Sequence, residues 1–496
     1  MYGQTNVGEL VKALQSMERI PDPGMPEGLA KATFEQTSGG ATTGLTYYDL
    51  EPGAKFLYPV LTPLRNSIAR VSGKGGTQAN WKAITAINTD NLELGVSQGN
   101  RAGVMAKTTK DYNAAYRGLG LESSVTFEGQ YAGQNFMDIR ATAGRTLLES
   151  VMLGEEKVIF AGNGTLALGT PGTPTLAGST TGGTLAAATY NVHVVALSHQ
   201  GLSVGSVAGG IRTSITRNNA DGSEDTYGGG SSNKSAAASA TTTGSTGSIA
   251  ASVAPVRGAF GYAWFWGTAG NEVLGAITTV PKLTITAAAA GTQNISTVTA
   301  DNSRNALVYD GLITQALAAD SGAYYRDLLG ETLTADGAGG IVEIDTALQW
   351  FWDNWKLSPD TMWVSSQEAL SISKKILAGG AGSSNFRINV DMQQGMMAGG
   401  VMVKQYLNRF SMNGAGVVDI KIHPNAAAGM IFFFSATLPY PVSNVSNTIQ
   451  ILERQSYYQI EWPLRSRKYE YGVYYDGVLQ HYAPFSMGVI SGIGAG

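Results

Sequence analysis

The sequence predicts an α+β chain interrupted by an all-β segment. Apolar and polar residues alternate over 77–128, which marks half-buried strands. Apolar residues recur every three or four positions over 134–162, which marks one long helix. Between 165 and 300 only 9 of 136 residues are charged, and Thr, Ala, Gly and Ser dominate.

Residues 1–55 read as an arm. Val7–Ser16 suits a short helix, after which Pro21, Pro23, Pro26, Gly39, Gly40 and Gly44 break any regular pattern. Residues 56–70 (FLYPVLTPLRNSIAR) suit an extended segment running into a short helix. Residues 77–128 then read as a long hairpin. Trp81, Ala83, Thr85 and Ile87 alternate on the way out, and Leu119, Leu121, Ser123, Val125 and Phe127 on the return. A two-stranded ribbon is marginal alone, so this one needs a surface to lie on. In the helix, Phe136, Ile139, Ala143, Leu147, Val151, Gly154 and Val158 share a face, and Gly162 and Gly164 supply the stop.

Within 165–300, strand-like runs at Thr189–Leu197, Gly210–Thr216, Ala259–Gly267 and Lys282–Thr286 are separated by turn signals. They predict a small β-sandwich, with Gly222–Gly247 as a loop inside it. Trp264 and Trp266 lie two apart on one strand and therefore share a face, directed to the sandwich core or to its loop. From 301 the mixed character returns. Ile344–Trp355 reads as a helix with an aromatic face, Thr361–Val364 as a strand, and Gln367–Leu377 as a helix opened by the capping box Ser365-x-x-Glu368. Met430–Phe434 (MIFFF) reads as a buried strand, and Tyr457–Tyr475 as a strand-rich tail dense in Tyr and Arg.

Composition narrows the function. The chain has 496 residues, a formal charge of −4, 14% charged and 43% hydrophobic residues, and no cysteine. That excludes a disulfide framework, a Cys-ligated zinc site and a thiol nucleophile. No basic run points to sequence reading on nucleic acid. No apolar stretch is long enough to cross a membrane as a helix, and Met1–Ile20 has no signal-like apolar core, so a cytoplasmic protein without a membrane partner is expected. The low charge fraction points to surface covered by partners.

Catalysis finds little support. His193, His199, His423 and His481 form no H-E-x-x-H and adjoin no nucleophile motif. His423, before Pro424, reads as a turn residue. The glycine clusters at 337–340 and 379–382 lack the Lys-Ser/Thr of a phosphate loop. Asp221, Glu224 and Asp225 lack the spacing of an EF-hand and read as a solvated loop. Trp350, Trp352 and Trp355 read as packing rather than as a sugar platform. No catalytic residue, metal site or cofactor is expected, and no enzyme. Arg454, Arg465, Arg467 and Lys468 are interleaved with Tyr457, Tyr458, Trp462, Tyr469 and Tyr471, with Glu453, Glu461 and Glu470 offsetting the charge. Arg and Tyr are enriched at protein–protein interfaces. An arm, an unsupported hairpin and an Arg/Tyr tail would each bury surface only against other copies, the pattern of a self-assembling structural protein. The candidate assembly residues are Trp81, Lys82, Ile87, Leu119, Leu121 and Phe127 on the hairpin and Arg454, Tyr458, Trp462, Arg465 and Arg467 in the tail.

The order of these stretches resembles the major capsid proteins of tailed bacteriophages, with the Hong Kong 97-type fold. The likeness rests on 56–70, on 77–128 as the E-loop hairpin, and on 134–162 as the spine helix of a peripheral domain. It continues with 344–377 as the axial-domain motif and with 429–441 and 453–484 as the return to the peripheral domain. Gly183–Gly201 and Val256–Gly267 are similar to an immunoglobulin-like or fibronectin-III-like module. The resemblance implies an arm at 1–55, hairpin and spine helix at 56–164, and an exterior all-β immunoglobulin-like sandwich at 165–300. An axial domain at 301–445 and a peripheral return at 446–496 complete it. It further implies pentamers and hexamers in an icosahedral virion capsid, assembled in the bacterial host cytoplasm around double-stranded DNA contacted without sequence reading. Only about 50 residues precede the Phe56 stretch, so a separate scaffolding protein is expected. A portal and decoration proteins join it as partners. Cross-linking through Lys74, Lys82, Lys107 or Lys110 is not expected. An encapsulin-like nanocompartment shell and a β-rich phage tail or adhesin protein are the alternatives.

Overall fold

The computed structural model describes residues 55, 57–88, 93–134, 136–219, 222–378, 403–411, 416–439 and 445–495. The expected arm and its Val7–Ser16 helix lie outside these residues, Lys55 apart. Residues 58–132 and 139–496 form one unit, and 1–57 with 133–138 a second. Among the described residues, every helix and strand belongs to the first unit.

The short helix α1 (Pro63–Ser67) comes first, where Pro63 supplies a preset φ at the first turn. Strand β1 (Ala69–Ser72) follows. β2 (Gln78–Asn88) and β3 (Ala106–Ala115) pair antiparallel as a two-stranded ribbon. This corrects the expected hairpin. The return strand is 106–115, and Leu119–Phe127 belongs elsewhere. Alternation locates a strand but not its partner, and β3 (AKTTKDYNAA) carries too few apolar residues to stand out. Strand β4 (Arg117–Thr126) instead edges a four-stranded sheet in the order β1-β20-β21-β4, with β20 at Ile449–Glu461 and β21 at Lys468–His481.

Helix α2 (Phe127–Ala132) precedes the long helix α3 (Ile139–Ala161), which has 23 residues. At 1.5 Å per residue α3 spans about 35 Å. It begins five residues later than the spacing suggests, and Phe136 lies before it. Leu147 and Val151 of α3 pack on Val125, Tyr471 and Val473 of the four-stranded sheet. Its last turn, with Ile159 and Phe160, enters the main core.

The segment after α3 folds as two facing sheets. One has the order β10-β6-β12-β13 with β9 also on β6, and the other the order β14-β11-β5. The strands are β5 (Thr175–Ser179), β6 (Thr189–Leu197), β9 (Ser231–Lys234), β10 (Ala238–Thr241), β11 (Ser248–Ser252), β12 (Gly261–Gly267), β13 (Val273–Thr278) and β14 (Lys282–Ile285). Helix α4 (His199–Val204) follows β6, and β7 (Ser214–Asn218) pairs with β8 (Glu224–Gly228) as a separate hairpin. Strands β8, β9 and β10 occupy much of the stretch expected as a loop over 222–247. Short, mostly polar segments pair through backbone and polar side chains, as Thr189 with Thr241 and Arg217 with Asp225, and leave no hydrophobic signature. Trp264 and Trp266 both enter the core between the sheets, with Val192, Val194, Ile249 and Ile285. Phe265, one residue apart, points to the opposite face with Val195 and Leu274. A Cβ at Gly275 would collide with the Trp266 indole, so glycine is required there.

The remaining chain builds a six-stranded mixed sheet in the order β15-β22-β19-β16-β18-β17. Its strands are β15 (Tyr324–Asp327), β16 (Thr361–Val364), β17 (Gln405–Asn408), β18 (Gly416–Ile422), β19 (Ile431–Phe434) and β22 (Gly488–Ser491). Helix α5 (Leu312–Leu317) precedes it. Helices α6 (Val342–Trp355) and α7 (Ser366–Ala378) cover one face, where Ile344, Leu348, Phe351 and Ile372 meet Ile431, Phe433, Met362 and Val364. Phe432, Phe434 and Trp363 face the opposite way, toward α5 and the end of α3. A strand covered on both faces reads as an unbroken apolar run, which explains MIFFF. The capping box at α7 is half formed. The Glu368 amide donates to Ser365 Oγ at 3.2 Å, but the Glu368 carboxylate turns inward and accepts from the Gly429 amide at 3.0 Å.

Candidate assembly surfaces and a buried charge junction

Strand β2 and the segment joining it to β3 carry a set of uncovered apolar side chains. Ile84, Ile87, Val96 and Met105 are exposed, Leu94 is 87% exposed and Val104 92% exposed. The root of the ribbon is held down. Trp81 stacks on Tyr112 at 5.6 Å between centroids and meets the edge of Tyr482 at 6.3 Å. Lys110 pairs with Asp320 at 2.8 Å. Between the root, α5 and β21 lies a cavity of about 480 Å³ lined by Trp81, Tyr112, Gln315, Asp320 and His481. Lys82 faces Asp111 across the ribbon at 3.3 Å, with both ends in solvent.

The tail residues divide in two. Tyr458 and Trp462 are about one-third exposed, Leu464 is more exposed, and Leu121 on the neighbouring sheet edge is exposed. Arg465 is exposed and has no ion pair among the described residues. Arg454, in contrast, is engaged within the chain by the Asp476 carboxylate, the Gly76 carbonyl at 3.0 Å and the Tyr116 ring. Arg467 pairs with Glu128 at 2.6 Å, Phe127 packs on Tyr469 at 4.7 Å, and Leu119 packs against the main core. Ile87, Leu121, Tyr458, Trp462 and Arg465 are thus exposed, as are Lys82 and Arg467 in surface ion pairs, whereas Trp81, Leu119, Phe127 and Arg454 are engaged within the chain.

The most consequential polar cluster lies inside. Glu155 and Glu156 of α3 are fully buried where the long helix crosses α1, β20 and the loop after β18. Glu156 accepts the Leu64 and Arg65 amides at 3.0 and 2.7 Å, and its Oε1 lies 2.8 Å from His423 Nε2. It does for α1 what a capping side chain would do, since Thr62 makes no such bond. Glu155 accepts from Arg65 Nε at 2.9 Å, from Arg70 at 2.8 Å and from the Tyr457 hydroxyl. Arg70 reaches Glu453 with its other nitrogen at 2.6 Å. Burial pulls the Arg70 guanidinium down, but Glu155 and Glu453 outweigh it and hold the pKa above the usual arginine value. Burial, and then Glu155, push the Tyr457 hydroxyl up to about 12. Of this cluster the sequence singles out only His423, Glu453 and Tyr457, each for another role. The available signal was the pair Glu155-Glu156 inside an apolar stripe. His423 is buried against Glu156 and stacks on Phe160 at 4.2 Å, more than a turn residue does.

Two other histidines are buried and neutral. Burial pushes His481 down to about 3. Burial, with His423 and Lys157 adding to it against the Asn425 carbonyl bond, pushes His199 down to about 4. In the unfolded chain both bind a proton below about 6.5. The unfolded state therefore carries more protons between pH 6.5 and 3, and stability falls as pH drops through that window. Glu368 acts with the opposite sign. Burial raises its carboxyl to about 6, so it destabilises as pH rises through 6. Each fully shifted group changes stability by about 1.4 kcal/mol per pH unit within its window. Denaturant midpoints at pH 7 and pH 5 should differ less in His199→Gln than in the parent chain.

No family model and no curated relative matches the chain. Among solved structures it is similar to the capsid of Myoviridae phage XM1, with 9% identity, a TM-score of 0.41, and coverage of 92% of this chain and 100% of that one. It is also similar to the capsid of cyanophage P-SCSP1u, with 7% identity, a TM-score of 0.38, and coverage of 95% and 99%. A third is the capsid of an empty GTA particle, with 8% identity, a TM-score of 0.39, and coverage of 90% and 95%. All three of these similar structures are capsids, and at such identities the functional reading has to stand on this chain's own surfaces.

Proposed function

We propose that this chain is a structural, non-enzymatic shell subunit, the major capsid protein of a tailed phage. Copies associate as pentamers and hexamers about local axes, closing an icosahedral shell around double-stranded DNA, with the inserted immunoglobulin-like sandwich outside. The observation that carries this reading is the ribbon β2/β3 and the segment joining its strands, with Ile84 and Ile87 uncovered on β2 and Leu94, Val96, Val104 and Met105 uncovered between the strands. Fully burying six such side chains is worth on the order of 10 kcal/mol before the ordering cost of association. A monomer gains nothing from that surface, whereas a neighbouring copy covers it. Tyr458, Trp462, Arg465 and Leu121 offer a second contact of the aromatic and Arg composition that favours interfaces. Closed symmetric contacts of this kind set the shell size. A scaffolding protein, a portal and decoration proteins are the further partners in this reading, and DNA is met without sequence reading.

The ribbon provides the test. Ile87→Asp with Val104→Asp should leave a folded monomer, because neither side chain is buried, and should abolish large particles in sedimentation velocity. Unchanged particles from that variant would remove the ribbon from the assembly interface.

A further inference from the structure

The inserted sandwich enters and leaves the chain between α3 and α5, so two short connections would suffice to tether it. The structure shows much more contact than a tether needs. His199, at the start of α4, donates from Nε2 to the Asn425 carbonyl at 2.7 Å, in the loop after β18 of the six-stranded sheet. Arg257 donates to the Leu317 and Ala318 carbonyls at 2.8 and 3.2 Å, closing the end of α5, and its guanidinium lies 5.2 Å over Tyr325 of β15. Lys282 of β14 pairs with Glu331 at 2.8 Å. Phe260 and Leu166 pack against the main core.

These contacts converge on one column of rings. Phe260 meets the His199 edge at 5.3 Å, and His199 meets Phe160 at 5.8 Å. Phe160 stacks on His423 at 4.2 Å and 7°, and His423 meets Trp363 at 5.4 Å and 90°. The column passes from the sandwich through the last turn of α3 into the six-stranded sheet. Glu156, one turn before Phe160, anchors His423 from the side. Domains in one chain move relative to one another unless their interface is large and apolar. Here a column of rings is combined with the hydrogen bonds of His199 and Arg257 and the Lys282–Glu331 pair.

We propose that the inserted sandwich is a built-in clamp that fixes the long helix α3 against the six-stranded sheet, with the Phe260–His199–Phe160–His423–Trp363 column as the joint and His199 and Arg257 as its positioning residues. The sandwich lends rigidity to the body in addition to whatever its outer surface does. The joint belongs to the single chain and holds whether or not copies assemble.

The test uses the absence of native cysteine. Ser150→Cys on α3 and Leu407→Cys on β17, both on exposed positions, accept spin labels at two ends of the clamped pair. In the full chain the distance distribution between them should be single and narrow. His199→Ala with Arg257→Ala should broaden it about two-fold, as expected when a rigid interface becomes a hinge. His199→Gln, which keeps a donor for the Asn425 carbonyl, should restore most of the narrow distribution, and Thr216→Ala at an exposed position of the β7/β8 hairpin should leave it unchanged. If the double variant does not fold, Arg257→Ala alone should still broaden the distribution. A width that is the same in the parent, in the folded double variant or in Arg257→Ala would overturn the proposal, and so would equal broadening by Thr216→Ala.

Discussion

Glu156→Ala is expected to destabilise the chain by about 3–5 kcal/mol, because it takes the acceptor from several buried donors at once. The carboxylate has no access to water and satisfies three partners at once: the Leu64 and Arg65 amides and His423. Its removal leaves two amide donors of α1 and one imidazole buried without an acceptor. Each such orphan costs about 1–3 kcal/mol. Water is not expected to repair the loss, because Phe160, Trp363 and Leu64 close the site. Equilibrium urea unfolding followed by circular dichroism should show the lower midpoint. Arg145→Ala removes an exposed pair with Glu149 on the same helix and should change stability by at most about 0.5 kcal/mol. An equal effect of the two substitutions would mean that Glu156 is not the junction described.

The second large effect is expected at Trp264. This indole is completely buried between the two sheets of the insert and donates to Thr278 Oγ1 at 2.8 Å. Trp264→Ala removes one of the two largest side chains of that core and should cost about 3–5 kcal/mol. Trp264→Phe keeps most of the volume and loses the hydrogen bond, so it should cost much less, with the bond itself worth about 1 kcal/mol. Thr278 keeps its own bond to the Val280 carbonyl at 2.7 Å, so the threonine is not orphaned in either variant. If the insert is clamped to the body as proposed, Trp264→Ala should lower the midpoint of the whole chain in one transition. A separate early transition of the insert alone would argue for an independent module.

Legibility in the sequence was decided by where side chains carry the signal. The strands Thr189–Leu197 and Thr361–Val364 appear at the expected bounds, because alternation or an unbroken apolar run fixes both their existence and their faces. The shared face of Trp264 and Trp266 came from strand geometry alone. Strand partners were harder. Leu119–Phe127 has the pattern of a hairpin return, yet the strand there, Arg117–Thr126, pairs with Lys468–Gly477 some 350 residues on and Phe127 opens a helix, while the true return, Ala106–Ala115, pairs with Gln78–Asn88 and is mostly polar. Local pattern carries no information about such a distant partner. Ile87 was singled out by alternation, and the structure leaves it exposed. The engagement of Arg454 by Asp476 was not legible, because it depends on which strands end up side by side. Glu155, Glu156 and His423 illustrate the same limit. Their chemistry arises only where three segments of chain, separated by roughly 90 and 270 positions, are brought together.

Negative-stain electron microscopy of the chain co-expressed with its genomic neighbours tests the central claim most directly. The expected result is uniform icosahedral shells bearing surface knobs, and no shells from the Ile87→Asp, Val104→Asp variant. Rods, rings or only small soluble particles from the parent chain would contradict the shell-subunit reading.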